Sequence, residues 1–264
     1  MKKIKLFLNA LKWEMILSGK EMMRHKMGLV MDLLIFTWTF IVVYYYDVSE
    51  AFAYRYAVDN TRAKILVIIG YIFWQSSSAA IGYCKGTVSN EISIGIFEVR
   101  LQSIFSMEII WFCRLLVNSL IHVVTYIGIF IFGSFAVGFT GWDITVFGIS
   151  ILYSFIAVAG MYGIGMIFGS FCVIEKDPGS VVGIFQTVLL LVSNTLSPFK
   201  GYWMYIFPFS PGIEICRNIY VGLPVQPSLI LIYILVNIIW FVIGCVCYRI
   251  AVKHEKRYGS FEKY

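Results

Sequence analysis

The chain has 264 residues, of which 59% are apolar and 14% are charged, and its formal net charge at pH 7 is +6. Soluble domains are about 45–50% apolar and about 25% charged, so this composition excludes a soluble enzyme and a disordered chain. The positive charge does not indicate a nucleic-acid partner, because most of the Lys and Arg residues flank apolar runs. These features predict one membrane domain that spans residues 1–264.

The first predicted element is a helix over residues 1–27. Its apolar residues repeat at helical spacing, and they are Ile4, Phe7, Leu8, Leu11 and Met15. This pattern predicts an amphipathic helix that lies in the membrane interface, with its lysines toward anionic lipid. An ordinary N-terminal helix that packs on the rest of the protein fits the pattern equally well.

Six apolar runs follow, each long enough to cross a bilayer, which takes roughly 20 residues, and the third and fourth runs are longer than this. They cover residues 28–46, 65–83, 109–137, 144–173, 179–196 and 228–250. The runs are continuously apolar rather than alternating, which favours helices over a barrel. The predicted fold is therefore all-α, with six transmembrane helices.

The distribution of positive charge predicts how these helices are oriented. Sixteen of the 21 Lys and Arg residues lie in the two terminal segments and in the connections after the second and fourth runs, and five lie on the other side. Cytoplasmic segments carry the excess of Lys and Arg. We therefore expect a multi-pass protein of the cell (inner or plasma) membrane with both termini in the cytoplasm.

The connection between the second and third runs contains two stripes at helical spacing. The polar stripe is formed by Glu91, Gly95, Glu98 and Gln102. The apolar stripe is formed by Ile94, Phe97, Leu101 and Phe105. Together they predict a short amphipathic helix over 90–105 at the cytoplasmic surface. Its acidic face suits a cytoplasmic partner, or it is simply solvated.

The connection 197–227 before the last run holds five of the six prolines and many aromatic residues. It is too apolar for open water. We expect it at the outer interface, where it dips into the bundle as short broken helices.

Motifs for catalysis or metal binding are missing from the sequence. It contains no GxxxxGK[ST] phosphate loop, no HExxH or GxSxG, and no Cys or His residues at metal-ligand spacing. We therefore expect a chain that is not itself an enzyme and that binds no metal or cofactor.

Two motifs give the sequence a resemblance to the membrane permease subunits of type-2 ABC exporters. Those proteins carry an acidic residue, then Gly-Thr-Leu-Glu, then Ser-Pro before the third span. Glu91, Gly95, Glu98 and Ser103 match this pattern, whereas 96–97 and 104 depart from it. Family members also carry a proline-rich external segment before the last span. The matching positions here are Pro208, Pro211, Arg217 and Gly222.

The resemblance implies a coupling helix at 90–105 that docks on a separate cytoplasmic ATPase subunit. The expected coupling residues are Glu91, Gly95, Phe97, Glu98, Leu101 and Gln102. It also implies two ATPase copies that carry ATP and magnesium, and a second permease copy or a sister permease. The first, second and fifth spans would face the centre. The candidate path residues are Trp38, Phe73, Gln75, Gln186 and Asn194.

On this resemblance the chain exports an amphipathic peptide, a drug or a lipid-like molecule, because the spans offer few fixed charges to a polar solute. A glycan-lipid exporter remains an alternative within transport. A membrane scaffold or immunity component that binds a partner without moving it is a second class.

Overall fold

The structure is a computed structural model that describes residues 2–24, 49–103, 105–175, 179–198 and 201–258, together with eight positions between 27 and 42. It is all-helical, with 87% helix and no strand among the described residues. Most of the first predicted span, 28–46, lies outside this part of the chain, as does Ile104.

Nine helices of the described chain have defined bounds. In chain order they are α1 (Lys2–Arg24), α2 (Glu50–Tyr56), α3 (Asn60–Ser93), α4 (Phe97–Leu101), α5 (Met107–Val137), α6 (Gly141–Glu175), α7 (Gly179–Val192), α8 (Ser210–Val221) and α9 (Pro227–Tyr258). A 3₁₀ turn, Tyr202–Ile206, precedes α8.

Four of these helices are long and apolar enough to cross a membrane: α3, α5, α6 and α9. They coincide with the predicted runs 65–83, 109–137, 144–173 and 228–250. The fifth run, 179–196, forms a shorter apolar helix, α7, followed by a turn. The helical nature of these runs is thus confirmed, and four of them have the length of a membrane span.

Helix α3 is the centre of the bundle and packs along α6, which in turn packs along α9. Residues 65–73 of α3 are buried on every side of the helix, as expected for a helix that is apolar all round. By contrast, α9 is exposed over most of its span, and its exposed side chains are chiefly Leu, Ile and Val. The protomer therefore has an apolar outer face suited to lipid or to another chain.

The crossing of α6 and α9 depends on two glycines. A Cβ added to Gly163 would collide with the carbonyl oxygen of Trp240, and one added to Gly244 would collide with the carbonyl oxygen of Gly163. The two backbones therefore touch, as small residues permit at helix interfaces in membranes. Gly165, further along α6, lies against the side chain of Cys84 in α3, where an added Cβ would lie 2.8 Å from the Cβ of Cys84.

The segment 90–105 is not one helix, so that prediction was wrong. Helix α3 continues to Ser93, Gly95 adopts a φ of +73°, and α4 begins at Phe97. The amide of Ile96 donates to the carbonyl of Glu91 (3.1 Å), and the amide of Gly95 donates to that of Ile92 (3.0 Å). This is a Schellman motif, which ends a helix at a residue with positive φ. Gly95 therefore separates the two predicted stripes.

Candidate functional site

A buried charge cluster lies where α1, α3, α4 and α5 meet. We call it the Glu91 network, and it consists of Glu14, Glu91, Arg100, Trp111 and Arg114. Glu91 is 4% exposed, and its Oε1 lies 2.8 Å from Nη1 of Arg100. The same oxygen accepts a hydrogen bond from the Trp111 indole (3.1 Å) and lies 3.9 Å from Arg114. Nε of Arg114 donates to Glu14 Oε2 at 2.6 Å.

This arrangement ties four helices together through paired charges. Two carboxylates face two guanidinium groups, so the buried cluster is electrically balanced. Removing one partner of a buried pair typically costs about 3–5 kcal/mol, because the other charge is left uncompensated. The pair of Arg100 and Glu91 therefore joins α4 to the end of α3. Arg114 extends the connection to Glu14 of α1.

Helix α4 has one anchored face and one free face. Phe97 is buried and Leu101 is half-buried against the bundle. Glu98 and Val99 (70%) of α4 are exposed, as are Gln102 directly after it and Ile94 (57%) in the turn before it. The free face, together with these two flanking residues, combines an acid, an amide and two aliphatic side chains.

Three of the six predicted coupling residues, Glu91, Phe97 and Leu101, therefore hold the segment to the bundle and are not free to contact a partner. We expected Glu91 to share an exposed polar stripe with Glu98, and this was wrong, because Glu91 belongs to α3 and Gly95 turns the chain before α4. Phe97 is likewise enclosed by the bundle.

Helix α1 packs on α5, and Phe7 contacts Phe105 with ring centroids 5.1 Å apart. Leu6, Trp13 and Leu17 on another face of α1 remain exposed. The helix thus both folds onto the bundle and presents apolar side chains outward, which suits a position at a lipid surface.

A second buried cluster lies at the opposite end of the bundle, around α8. We call it the Arg217 network, and it comprises Tyr56, Asn194, Glu214 and Arg217. Arg217 is fully buried and donates to the carbonyls of Leu66 (2.9 Å), Asn194 (2.6 Å) and Thr195 (3.0 Å), and to Oδ1 of Asn194 (2.9 Å). These bonds join α8 to α3 and to the turn that follows α7.

Asn194 bridges the charges of this network. Its Nδ2 donates to Glu214 (3.0 Å) while its Oδ1 accepts from Arg217. Glu214 also accepts from the Tyr56 hydroxyl (3.0 Å) and from Arg55 (3.2 Å). The Arg217 guanidinium lies 4.4 Å from the centroid of the Phe52 ring, a favourable cation–π distance.

Burial changes the protonation equilibria of this network. It lowers the pKa of Arg217 to about 10, although Tyr56 and Glu214 oppose this effect. It raises the pKa of Tyr56 to about 12. At neutral pH Arg217 therefore stays charged and Tyr56 stays neutral, so that the hydroxyl donates to Glu214. Space for the guanidinium depends on Gly70, because an added Cβ would lie 2.5 Å from Nη2 of Arg217.

Pro208 and Pro211, which were predicted to lie in an external segment, help to fix the position of α8 in this region. Pro211 lies at the beginning of α8, where a missing N–H costs nothing. The carbonyl of Pro208 accepts a hydrogen bond from Asn237 of α9 (3.0 Å). Residues 210–217 are all buried, so α8 is folded into the bundle.

The predicted path residues lie in different environments. Phe73 and Asn194 are enclosed by protein and cannot contact a solute in this conformation. Gln186 of α7 donates to the carbonyl of Ser78 in α3 (2.8 Å). Gln75 is half-buried, and Trp38 is exposed. Their role in a path stays a prediction.

Sequence reasoning missed the partners that make these clusters. Arg100 and Arg114 enter the sequence analysis only through the distribution of positive charge, and Glu14, Tyr56 and Glu214 are not predicted as site residues. The available signal was their position beside apolar runs, because charged residues are almost never fully buried unless they are paired. That signal shows that partners exist but does not identify them.

Comparison of the chain with protein-family models and with curated proteins finds no match. Among the described residues, no group of three or more His, Cys, Asp or Glu is placed to hold a metal ion. The features that can indicate a function are therefore the two charge networks, the free face of α4 and the apolar helices.

Proposed function

We propose that this chain is the permease subunit of an ATP-driven exporter of the type-2 ABC class. The observation that carries the proposal is α4, a short helix between two long apolar helices. Its outer face is free, and its inner face is tied to α3, α5 and α1 through the Glu91 network. A movement of an ATPase subunit docked on the free face would thus displace α4 and, through it, the helices of the bundle.

The mechanism follows from this geometry. ATP, with magnesium, would bring two ATPase subunits together and displace α4 in each permease. Paired buried charges hold α4 to α3, so the displacement reaches the centre of the bundle as a rigid-body movement. The chain itself would supply no catalytic group to ATP hydrolysis.

The proposal includes six spans, with residues 28–46 and 179–196 as the additional two. It places the Glu91 network at the cytoplasmic surface of the cell membrane and the Arg217 network outside, as the charge distribution indicates. One chain would form half of the pathway, so a second copy or a sister permease would face it.

For the substrate we propose an amphipathic peptide, a drug or a lipid-like molecule. The exposed surface of the long helices is aliphatic and aromatic, which suits a solute with apolar parts. A glycan-lipid, or a role as scaffold or immunity component, is the alternative outcome of the test.

The test is reversal of one charge on the free face of α4. Glu98→Lys should weaken copurification with the ATPase subunit at least about tenfold, because like charges at an interface cost several kcal/mol. Glu50→Lys is the matched control, since Glu50 is an exposed acid on α2 at the opposite end of the bundle. Both variants should insert normally in the membrane.

Copurification and ATP hydrolysis should be measured for the wild-type chain and both variants after expression with the ATPase subunit. Equal copurification and activity for wild type and Glu98→Lys would contradict the docking assignment. ATP hydrolysis by the purified chain alone would contradict the whole proposal. An ATPase complex that moves no solute would favour the scaffold.

A further inference from the structure

A groove of about 510 Å³ lies between the α4–α5 linker and the last turns of α9. Arg249, Lys253 and Lys256 line it, and their spacing of four and three residues places them on one face of the helix. Nε of Arg249 lies 2.7 Å from Oε1 of Glu108. Neither lysine has an ion-pair partner among the described residues. The groove therefore has a surplus of positive charge.

Two hydroxyl groups of residues that line the same groove have no hydrogen-bond partner in the part of the chain that the structure describes. They belong to Ser106 and Tyr248, and both oxygen atoms are buried. Tyr248 is only 2% exposed. Buried polar groups in proteins are nearly always bonded to protein or to a ligand or water. These two donors therefore point to an acceptor that occupies the groove.

The apolar surroundings indicate what else the occupant carries. Val252 and Leu101 line the groove beside the cations. From there, Ile250, Val246 and Ile243 form an exposed aliphatic strip that continues along α9 toward the middle of its span. The change from an aliphatic to a basic surface within two turns is the pattern expected where a helix leaves the hydrocarbon layer.

We infer that this groove binds the phosphate headgroup of an anionic phospholipid, with its acyl chains along the strip formed by Ile243, Val246 and Ile250. The phosphate oxygens accept from Ser106 and Tyr248 and face Lys253 and Lys256. The volume of the groove falls in the range of roughly 300–1,000 Å³ that is usual for small-molecule sites. The inference requires the chain to lie in a membrane, but it does not depend on the exporter proposal.

Affinity should be measured for the purified full-length chain in neutral detergent, by native mass spectrometry and by thermal shift. The probes are dioleoyl-phosphatidylglycerol and dioleoyl-phosphatidylcholine, which share their acyl chains, with glycerol phosphate and inorganic phosphate as soluble probes. We expect saturable binding of phosphatidylglycerol and no comparable binding of the other three.

Lys256→Gln should lower the affinity for phosphatidylglycerol roughly fivefold, since a cation near an anionic surface contributes about 1 kcal/mol of binding free energy. The matched control is Arg257→Gln, which removes one charge from the next residue outside the groove and should change little. Tyr248→Phe should also weaken binding without lowering the stability of the lipid-free chain, because its hydroxyl has no partner there.

Three results would overturn the inference. Equal binding of phosphatidylglycerol and phosphatidylcholine would remove the role of the cations. An equal loss in Lys256→Gln and Arg257→Gln would show unspecific attraction by net charge. Stabilisation by inorganic or glycerol phosphate as large as that by the lipid would indicate a soluble ligand instead.

Discussion

Replacing Arg217 by Met should destabilise the protein strongly. Met has a comparable length but cannot donate, so the carbonyls of Leu66, Asn194 and Thr195 lose a buried partner at 2.6–3.0 Å. Glu214 also loses the nearby positive charge. Breaking a buried charged cluster in this way costs about 3–5 kcal/mol. At about 2–4 °C per kcal/mol for a chain of this size, the melting temperature should fall by roughly 6–20 °C.

The assay is thermal unfolding of the detergent-purified chain at pH 7.4, with Arg62→Met as matched control. Arg62 lies at the same end of the bundle, but both it and its partner Asp59, 3.6 Å away, are exposed. Such a pair contributes at most about 1 kcal/mol. Arg217→Lys keeps the charge without the planar fork and should fall between the two. If Arg217→Met melts no lower than Arg62→Met, the Arg217 network does not stabilise the fold.

Two further predictions concern packing and orientation. Gly163→Ala should cost about 1–3 kcal/mol in thermal unfolding, because its Cβ collides with the backbone of α9; Gly148→Ala in the same helix, with no atom near its Cβ, should not destabilise, and equal losses would contradict the close crossing. A cysteine introduced at Tyr54, which is 93% exposed, should react with an impermeant maleimide from outside the cell. A cysteine introduced at Val99, which is 70% exposed, should react only after the membrane is opened. The unsubstituted chain gives the background labelling. Labelling of both from one side would contradict the proposed topology.

Hydropathy predicted the elements whose existence depends on composition alone. The runs that became α3, α5, α6 and α9 are long and continuously apolar, and a backbone in lipid must satisfy its hydrogen bonds within a helix. The same reasoning could not predict that 179–196 is helical only to Val192. The prediction depended on average hydropathy, whereas the end of a helix depends on local backbone bonds.

The candidate site was predicted less well, for a specific physical reason. Helical spacing assigned Glu91 and Glu98 to one polar face, because a periodicity count treats Gly95 as one more helical residue. Its positive φ ends α3 and reorients the chain. Similarly, Asn194 is a polar residue inside the predicted run 179–196, but only the approach of α8 makes it a bridge between Glu214 and Arg217.

The contact of backbone with backbone where α6 crosses α9 restricts how this bundle can change shape. At Gly163 and Gly244 no side chain separates the two backbones, so the helices lie as close together as their main chains allow. We therefore expect α6 and α9 to move together as one body. We expect any opening within the protomer to involve α5, whose row of Leu120, Val124, Ile127 and Ile131 is exposed and whose described glycine, Gly128, touches no neighbouring backbone.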